Sequence, residues 1–294
     1  MRPRNAVGAD RSAAGDATKK TETLPDQPKS VEKPEAGTRL SAAEIHDNVL
    51  GPAEEELERS AASLLWSAVA AGLTIGFSFL VGAFAQTLVP ERYGHAAAGI
   101  VYPLGFVFVV FARSELFTEN TLEPVIPLLH RRDGETFRKM MRLWVLLLAG
   151  NLAGAALFGF VMQRTSLIEA DVKTHLDRMA TLSTSDGFGL TFTRGIMAGW
   201  LIALLTWLMA STHESIAHLV LIWLTTAPIA LLNFRHSIVG SVEAFYRVAS
   251  GSAALGGMAT SFIAPAVLGN AVGGVVLVAL LNYGQVHHER ARGT

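Results

Sequence analysis

The chain of 294 residues contains no cysteine, and this absence excludes several kinds of chemistry at once. Without a thiol there is no disulfide bond, no thiolate metal site and no cysteine nucleophile. An excess of one charge is also missing, because 24 lysine and arginine residues stand against 25 aspartate and glutamate residues, for a net charge of −1. That balance gives no indication of nucleic-acid binding.

Charge of either sign is scarce after the first sixty residues, although 17% of the whole chain is charged. Half of the residues are hydrophobic, and the mean hydropathy is +0.36. Several apolar runs approach the roughly 20 residues that a helix needs to cross the hydrocarbon core of a bilayer. The composition therefore predicts an all-α integral membrane protein whose surroundings are lipid.

The chain divides by composition into four parts. Residues 1–40 are rich in Lys, Glu, Pro, Thr and Ala and have almost no large apolar side chains, which predicts a disordered tail. Residues 41–59 predict a short interfacial helix, which opens with a capping box at Ser41 and Glu44 and is broken at Gly51-Pro52. Residues 60–285 form the membrane domain, and 286–294 form a short basic tail.

Hydropathy predicts six spans in the membrane domain, the second and fifth of which are interrupted by polar residues. Their predicted bounds are 61–89, 95–129, 137–162, 190–210, 213–248 and 258–283. Five Lys and Arg residues lie between 130 and 142, and two more lie in the C-terminal tail, which places both ends of the chain in the cytoplasm. A polar connection at 163–187 is expected on the opposite side.

The two interruptions are the most unusual stretches of the chain. One reads Arg-Ser-Glu-Leu-Phe-Thr-Glu-Asn over 113–120, and the other reads Asn-Phe-Arg-His-Ser over 233–237. Charged residues at membrane depth are costly unless they line a polar cavity or pair with each other. A helix broken there exposes backbone groups that need partners. We therefore predict that the two interruptions meet around one transport path.

A repeated motif supports this prediction. Gly150-Asn151-x-x-Gly154 lies in the third predicted span, and Gly269-Asn270-x-x-Gly273 lies in the sixth. The two asparagines follow Thr118 and His236 by nearly equal intervals. Three spans in each half predict two inverted repeats, whose broken helices meet near the middle of the bilayer. Small-xxx-small spacing alone is common wherever membrane helices pack closely.

The chemistry of the interruptions suits a small anion or its conjugate acid. The half-helices that resume near Thr121 and Ser237 would direct partial positive charge at the centre, and His236 adds a titratable donor. Apolar constrictions formed by Tyr102, Phe106 and Ile229 would pass a neutral acid more readily than an ion. The alternatives are that His236 only binds backbone at the break and that the two aromatic rings only pack.

Other polar residues near the interruptions are expected to have structural roles. We predict that Arg235 pairs with Glu115, Glu119 or Glu243 or reaches the surface. Glu115 and Glu119 are predicted to hold backbone N–H groups of the first interruption. Arg194 is expected to extend toward the membrane surface.

Between residues 60 and 285 the sequence resembles the formate/nitrite transporter family. The resemblance rests on four motifs: Glu115-Leu116-Phe117-Thr118, continued to Asn120 in an ELFTENT form; the Asn151 motif; Phe234-x-His236-Ser237; and Pro265 with the Asn270 motif. It implies an aquaporin-like fold with broken second and fifth helices, and a homopentamer with one pore per protomer in a bacterial-type inner membrane. It also implies transport of small monovalent anions such as formate or nitrite, often with a proton.

The resemblance assigns roles to individual positions. His236 falls on the central pore histidine, Thr118 on the loop threonine, Tyr102 and Phe106 on one constriction, and Ile229 on the opposite one. Three positions depart from the family pattern: Arg235 replaces a glutamate, Gly199 an asparagine and Ser183 a lysine. These changes bear on the solute more than on the fold.

Two functions remain open on this reading. The first is a channel for a small weak-acid anion, linked to protons through His236. The second is a pore for a neutral solute such as water, glycerol or ammonia, although the paired Asn-Pro-Ala motifs of aquaporins are absent. An enzyme is not expected, because no cofactor motif and no set of metal ligands is recognisable.

Overall fold

A computed structural model describes residues 39–292, and within that range the chain contains helices and connecting segments but no strand. The predicted disordered tail, residues 1–40, thus lies almost wholly outside the described residues. The α-helices are α1 (Ala42–Glu58), α2 (Ala61–Thr74), α3 (Gly76–Thr87), α4 (Glu91–Val101), α5 (Pro103–Phe111), α6 (Val125–Arg131), α7 (Gly134–Arg164), α8 (Ala170–Ser183), α9 (Phe188–Met209), α10 (Ser215–Leu231), α11 (Ser237–Ser250), α12 (Leu255–Met258), α13 (Ala264–Gly274) and α14 (Leu281–Arg292).

Five helical stretches among the described residues are long and apolar enough to cross a membrane. They are Ala61–Thr87, Glu91–Phe111, Gly134–Arg164, Phe188–Met209 and Leu255–Arg290. The last includes two π-helical segments, Ala259–Ile263 and Val275–Leu280. A sixth apolar helix, α10, has 17 residues and is shorter than the others. The prediction of an all-α membrane protein is confirmed by these helices.

Helix α1 differs from its prediction in one respect. The capping box at its start is present, because the Ser41 hydroxyl accepts from the Glu44 amide and the Glu44 carboxylate accepts from the Ser41 amide. The predicted break at Gly51-Pro52 is wrong, since the helix continues through Pro52 to Glu58. Proline removes only one backbone donor, and the burial of Val49, Ala53 and Leu57 on one face offsets this loss.

The predicted polar connection at 163–187 is a second point of difference. It contains α8, a helix of 14 residues. Val172, Leu176 and Ala180 recur at every fourth position and are buried against the membrane helices. Charged residues occupy the exposed face of α8, so the average hydropathy of the segment conceals its apolar stripe.

Two helix pairs pack closely enough to require glycine at the crossing point. On α2, a Cβ added at Gly72 would overlap the backbone carbonyl of Asn151 on α7. On α9, a Cβ added at Gly199 would overlap the backbone carbonyl of Asn270 on α13 in the same way. Position 199, where the resemblance implies an asparagine near the pore histidine, therefore lies in a helix–helix contact.

We expect Gly199→Ala to destabilise the protein by about 1–3 kcal/mol, because the obstacle is backbone and only a helix shift can relieve it. Gly189→Ala is the matched control, since a Cβ at Gly189 on the same helix meets nothing within 4 Å. Thermal unfolding in detergent, followed by tryptophan fluorescence, measures both. Equal melting temperatures for the two variants would contradict the close contact.

Candidate functional site

The chain leaves its helical path twice, and both helices end with the same backbone arrangement. Arg113 and Asn233 adopt left-handed conformations, with φ of 52° and 56°. The Ser114 amide donates to the Val109 carbonyl at 3.1 Å, and the Phe234 amide donates to the Ile229 carbonyl at 2.8 Å. These bonds resemble the Schellman arrangement that commonly closes a helix. Helices α5 and α10 therefore end at a defined hydrogen-bonded turn rather than by fraying.

The chain resumes differently after each interruption. After the second, α11 begins at once at Ser237. After the first, one 3₁₀ turn at Glu119–Thr121 precedes the seven-residue helix α6, which begins at Val125. The prediction of a half-helix starting near Thr121 is therefore wrong. Pro124 is the N-cap of α6 and Pro127 lies in its first turn, where a missing backbone donor is tolerated.

Asn151 of α7 holds the first interruption in place. Its side-chain oxygen accepts from the Phe117 amide at 2.7 Å, and its side-chain nitrogen donates to the carbonyls of Glu115 at 2.9 Å and Ala68 at 2.8 Å. Asn151 is fully buried. One amide side chain thus satisfies three backbone groups and ties the interruption to α2.

Asn270 of α13 does the same for the second interruption. It accepts from the Ser237 amide at 2.8 Å and donates to the carbonyls of Arg235 and Gly195, both at 2.8 Å. The two asparagines therefore make equivalent bonds, but the equivalent positions are Phe117 and Ser237, which precede them by 34 and 33 residues. The register based on Thr118 and His236 is therefore wrong. The prediction that Glu115 and Glu119 hold the backbone of the first interruption is also wrong, because Asn151 makes those bonds.

An ion pair lies beside each interruption. At the first, the interruption supplies the carboxylate, and at the second it supplies the arginine. Glu115 accepts from Arg59 at 2.7 Å, and Arg59 also binds Glu56. Arg235 donates to Asp186 at 2.7 Å, and Asp186 also accepts from Arg194 at 2.6 Å. The predicted partners of Arg235 (Glu115, Glu119 and Glu243) are therefore wrong, whereas the expectation that Arg194 extends toward the membrane surface stays a prediction.

His236 and Thr118 join the two interruptions directly. The Nε2 atom of His236 lies 2.8 Å from the Thr118 Oγ1 atom, and both side chains are almost completely buried. The Nδ1 atom accepts from the Val239 amide at 3.2 Å and caps α11. Because Nδ1 is an acceptor, a neutral imidazole carries its proton on Nε2 and donates it to Thr118. His236 thus binds backbone and also contacts the other interruption.

Aromatic and aliphatic side chains surround the imidazole. The Phe106 ring meets His236 edge to face, with centroids 5.0 Å apart, and Tyr102 lies 5.5 Å from Phe106. Ile229 is fully buried near the end of α10. The imidazole therefore packs against an aromatic ring on one side.

The remaining predicted site residues lie at the two interruptions. Leu116 and Phe117 are buried in the hydrophobic core. The Asn120 side chain donates to the Glu115 carboxylate at 3.0 Å, and the Asn120 carbonyl accepts from the Trp144 indole at 2.8 Å. Phe234 is half-buried at the second interruption. Among the described residues, His236 forms its hydrogen bonds with Thr118 and Val239, and with none of these four predicted site residues.

A cavity of about 210 Å³ leads from α8 to His236. Its mouth carries an ion pair between Arg178 and Glu91, with the charged atoms 2.6 Å apart. Tyr102 and Phe234 line it, whereas Phe106 and Ile229 lie outside its lining. Its other polar lining residues are Gln86, His95, Ser183, Asn233, Arg235, His236 and Glu243.

The sequence pattern missed Asp186 as a partner of Arg235, because 49 residues separate them.

Comparison with known proteins agrees with this geometry. The chain is 33% identical over 267 residues to the inner membrane protein YfdC of Escherichia coli K12, covering 89% of this chain and 84% of that protein. It is 23% identical over 239 residues to the formate channel BtFdhC of Bacillus thuringiensis, covering 80% and 91%.

Two solved structures share the fold. One, described as a pentameric formate channel with formate bound, superposes with a TM-score of 0.66 at 21% identity, over 77% of this chain and 97% of that one. The other, described as an FNT family ion channel, has a TM-score of 0.72 at 19% identity, over 83% and 99%. The family profile described as "Formate/nitrite transporter" matches residues 43–284. The chain therefore belongs to the formate/nitrite transporter family.

Proposed function

We propose that this protein is a membrane channel that passes a small monovalent weak-acid anion, such as formate or nitrite, together with a proton. Membership of the formate/nitrite transporter family and the fold shared with a formate channel support this function. The observation that carries the proposal is the hydrogen bond between Thr118 and His236, which places a titratable group at the inner end of a cavity.

In this proposal the chain crosses the membrane six times in two inverted halves. Helices α4, α5 and α6 form a broken second span, and α10 with α11 form a broken fifth. The equivalent bonds made by Asn151 and Asn270 support the repeat, because inverted halves place the same contacts at two sites. Both ends of the chain then lie on the cytoplasmic side of a bacterial-type inner membrane, an orientation that the basic residues between 130 and 142 support.

The proposed assembly is a homopentamer with one pore in each protomer. Its support is the fold shared with a channel described as pentameric, together with apolar side chains exposed on the outer helices of the single chain. These exposed side chains face either lipid or a second copy of the chain, and both surroundings suit them.

The site can neutralise an anion at the inner end of the cavity, before the anion meets the apolar side chains of Phe106 and Ile229. An anion that reaches the end of the cavity meets His236, where it can replace Thr118 as the acceptor of the Nε2–H. A second proton on the imidazole would occupy Nδ1 and break the bond to the Val239 amide. An anion beside the imidazole favours uptake of that second proton from water in the cavity. The Nε2–H bond then breaks as an O–H bond forms on the anion, and the proton left on Nδ1 returns through water to Nε2, which restores the bond from the Val239 amide. The neutral acid can pass the apolar side chains of Phe106 and Ile229, which an ion crosses poorly.

Flux measurements in reconstituted vesicles test this function. Wild-type vesicles should take up formate faster than empty vesicles, and uptake should slow as the pH rises, because each anion is proposed to cross together with a proton. His236→Phe should lower the slope of log flux against pH by up to about one, because one proton-exchanging group is lost. His95→Phe is the matched control at the cavity mouth. An unchanged slope in the His236 variant would contradict a chemical role for the imidazole.

A neutral-solute pore is the second candidate, and one observation favours it. Arg178 and Arg235, the two arginines that line the cavity, are each neutralised by a carboxylate, so they give little attraction for an anion. Vesicle swelling in a stopped-flow instrument separates the two functions. Rapid water or glycerol flux without formate or nitrite flux would replace the first proposal with this one.

A further inference from the structure

Glu243 of α11 lines the cavity between its mouth and the histidine. It lies seven residues beyond His236, a separation of about 10 Å along the helix axis. The residue is 7% exposed. A solute that enters the cavity beside α8 and moves to His236 therefore passes this carboxyl group.

The carboxyl group of Glu243 has an uncharged partner. The Ser183 hydroxyl of α8 donates a hydrogen bond to it, and no ion pair of Glu243 occurs in the described part of the chain. Ser183 sits at the last turn of its helix, so this bond holds the side chain toward the cavity.

The charged groups around Glu243 are engaged elsewhere. On α8, Arg178 pairs with Glu91 of α4. At the second interruption, Arg235 pairs with Asp186. The other titratable or charged groups that face this region are Tyr102 from the end of α4, His95 from α4, His236 before α11, Asp177 from α8 beside Tyr246 of α11, and Arg247, which donates to Thr184.

These contacts give the carboxyl group two distinct effects on an anion. An ionised carboxylate without a cationic partner, in a cavity walled by protein, repels an anion more strongly than it would in water. A protonated carboxyl group instead donates a hydrogen bond to the same anion. The protonation state of Glu243 therefore decides whether an anion is tolerated beside it.

We propose that Glu243 is a second proton-exchanging group on the solute's route, which admits a small anion only in its protonated form. This inference rests on the proposed transport function. In the exchange, the carboxylate takes a proton from water at the cavity mouth, and the carboxyl group so formed donates a hydrogen bond through that proton to the anion. The anion then moves on toward His236, where it takes up the proton of the proposed function.

Glu243→Gln tests the proposal, because glutamine keeps the shape and the hydrogen bond from Ser183 but cannot ionise. In reconstituted vesicles we expect this variant to carry more formate than wild type at pH 8, by about threefold or more. Its slope of log flux against pH should fall by up to about one. In the His236→Phe background the same change should remove most of the remaining slope. Glu214→Gln, on an exposed residue before α10, is the matched control and should keep the wild-type slope.

A spectroscopic measurement makes the test independent of the transported solute. Infrared difference spectra of the wild-type protein across about pH 5 to 8 should contain a protonated-carboxyl band that loses intensity as the pH rises, because burial of Glu243 disfavours the charged carboxylate. This band should be absent from Glu243→Gln and present in Glu214→Gln. Size-exclusion profiles and melting temperatures establish that each variant is folded.

The outcomes separate this inference from the proposed function. Suppose that wild type carries formate, and that Glu243→Gln changes neither the slope of log flux against pH nor the infrared band. This result would overturn the inference and leave the transport function in place. Absence of any anion flux in wild type would overturn the transport function, and the role of Glu243 in anion entry with it. A slope lowered by Glu243→Gln but not by Glu214→Gln supports both.

Discussion

Asn270→Ala is expected to lower the free energy of unfolding by about 3 kcal/mol or more. The side chain satisfies three buried backbone groups, the amide of Ser237 and the carbonyls of Arg235 and Gly195. Each group left without a partner costs about 1–3 kcal/mol. Water is scarce at membrane depth, so these groups have few replacements. The measurement is thermal or denaturant unfolding of the purified protein in detergent.

Two further variants make the Asn270 result specific. Asn151→Ala should cost a similar amount, because Asn151 makes the equivalent three bonds at the first interruption. Asn282→Ala is the control, since Asn282 makes a single bond within its own helix, to the Val278 carbonyl. A loss for Asn270→Ala no larger than that for Asn282→Ala would show that the asparagine does not hold the interruption.

Asp186→Asn is expected to destabilise the protein by about 3–5 kcal/mol. The change leaves the guanidinium of Arg235, whose side chain is 8% exposed, without an opposite charge. Removing one partner of a buried ion pair costs more than the pair itself contributes, because the other charge stays desolvated. Unfolding in detergent again gives the measurement.

A double variant distinguishes the ion pair from a general packing defect. Adding Arg235→Met to Asp186→Asn removes the buried charge and should restore most of the lost stability. The control is Glu91→Gln, which breaks the ion pair with Arg178 at the cavity mouth. That pair is largely exposed, at 54% and 77%, so its loss should cost about 0–1 kcal/mol. If the double variant is no more stable than Asp186→Asn, the buried charge is not the cause.

Much of the fold was predictable from local patterns. Apolar runs of nearly 20 residues in a chain with little charge have few stable arrangements other than membrane helices. The capping box at Ser41 was predictable because its two bonds join residues only three apart. Runs of polar residues inside apolar sequence located both interruptions for the same reason, since polarity at membrane depth is costly wherever it occurs.

The partners of the polar side chains were not predictable in this way. Arg235 was expected beside Glu115, Glu119 or Glu243, but it pairs with Asp186, which precedes α9 in the chain. The sequence indicates Glu243 only as a partner for that arginine, and nothing in the sequence places Glu243 in the cavity wall. Nothing in the sequence specifies which of several carboxylates a given arginine will meet, because that depends on how whole helices cross.

By itself, the sequence determined the class of the protein, the number of long apolar helices within narrow limits, and the two places where polar residues enter the membrane. Each of these depends on side chains close together in the chain. Only the tertiary structure decided that Asn151 and Asn270 hold the interruptions, that the charges beside them are exchanged, and that Glu243 faces the route to His236. The bonds of the two asparagines and the bond between Ser183 and Glu243 join residues that are 33 to 83 positions apart. They therefore arise from the way whole helices cross, and close backbone contacts at glycines such as Gly72 and Gly199 set those crossings.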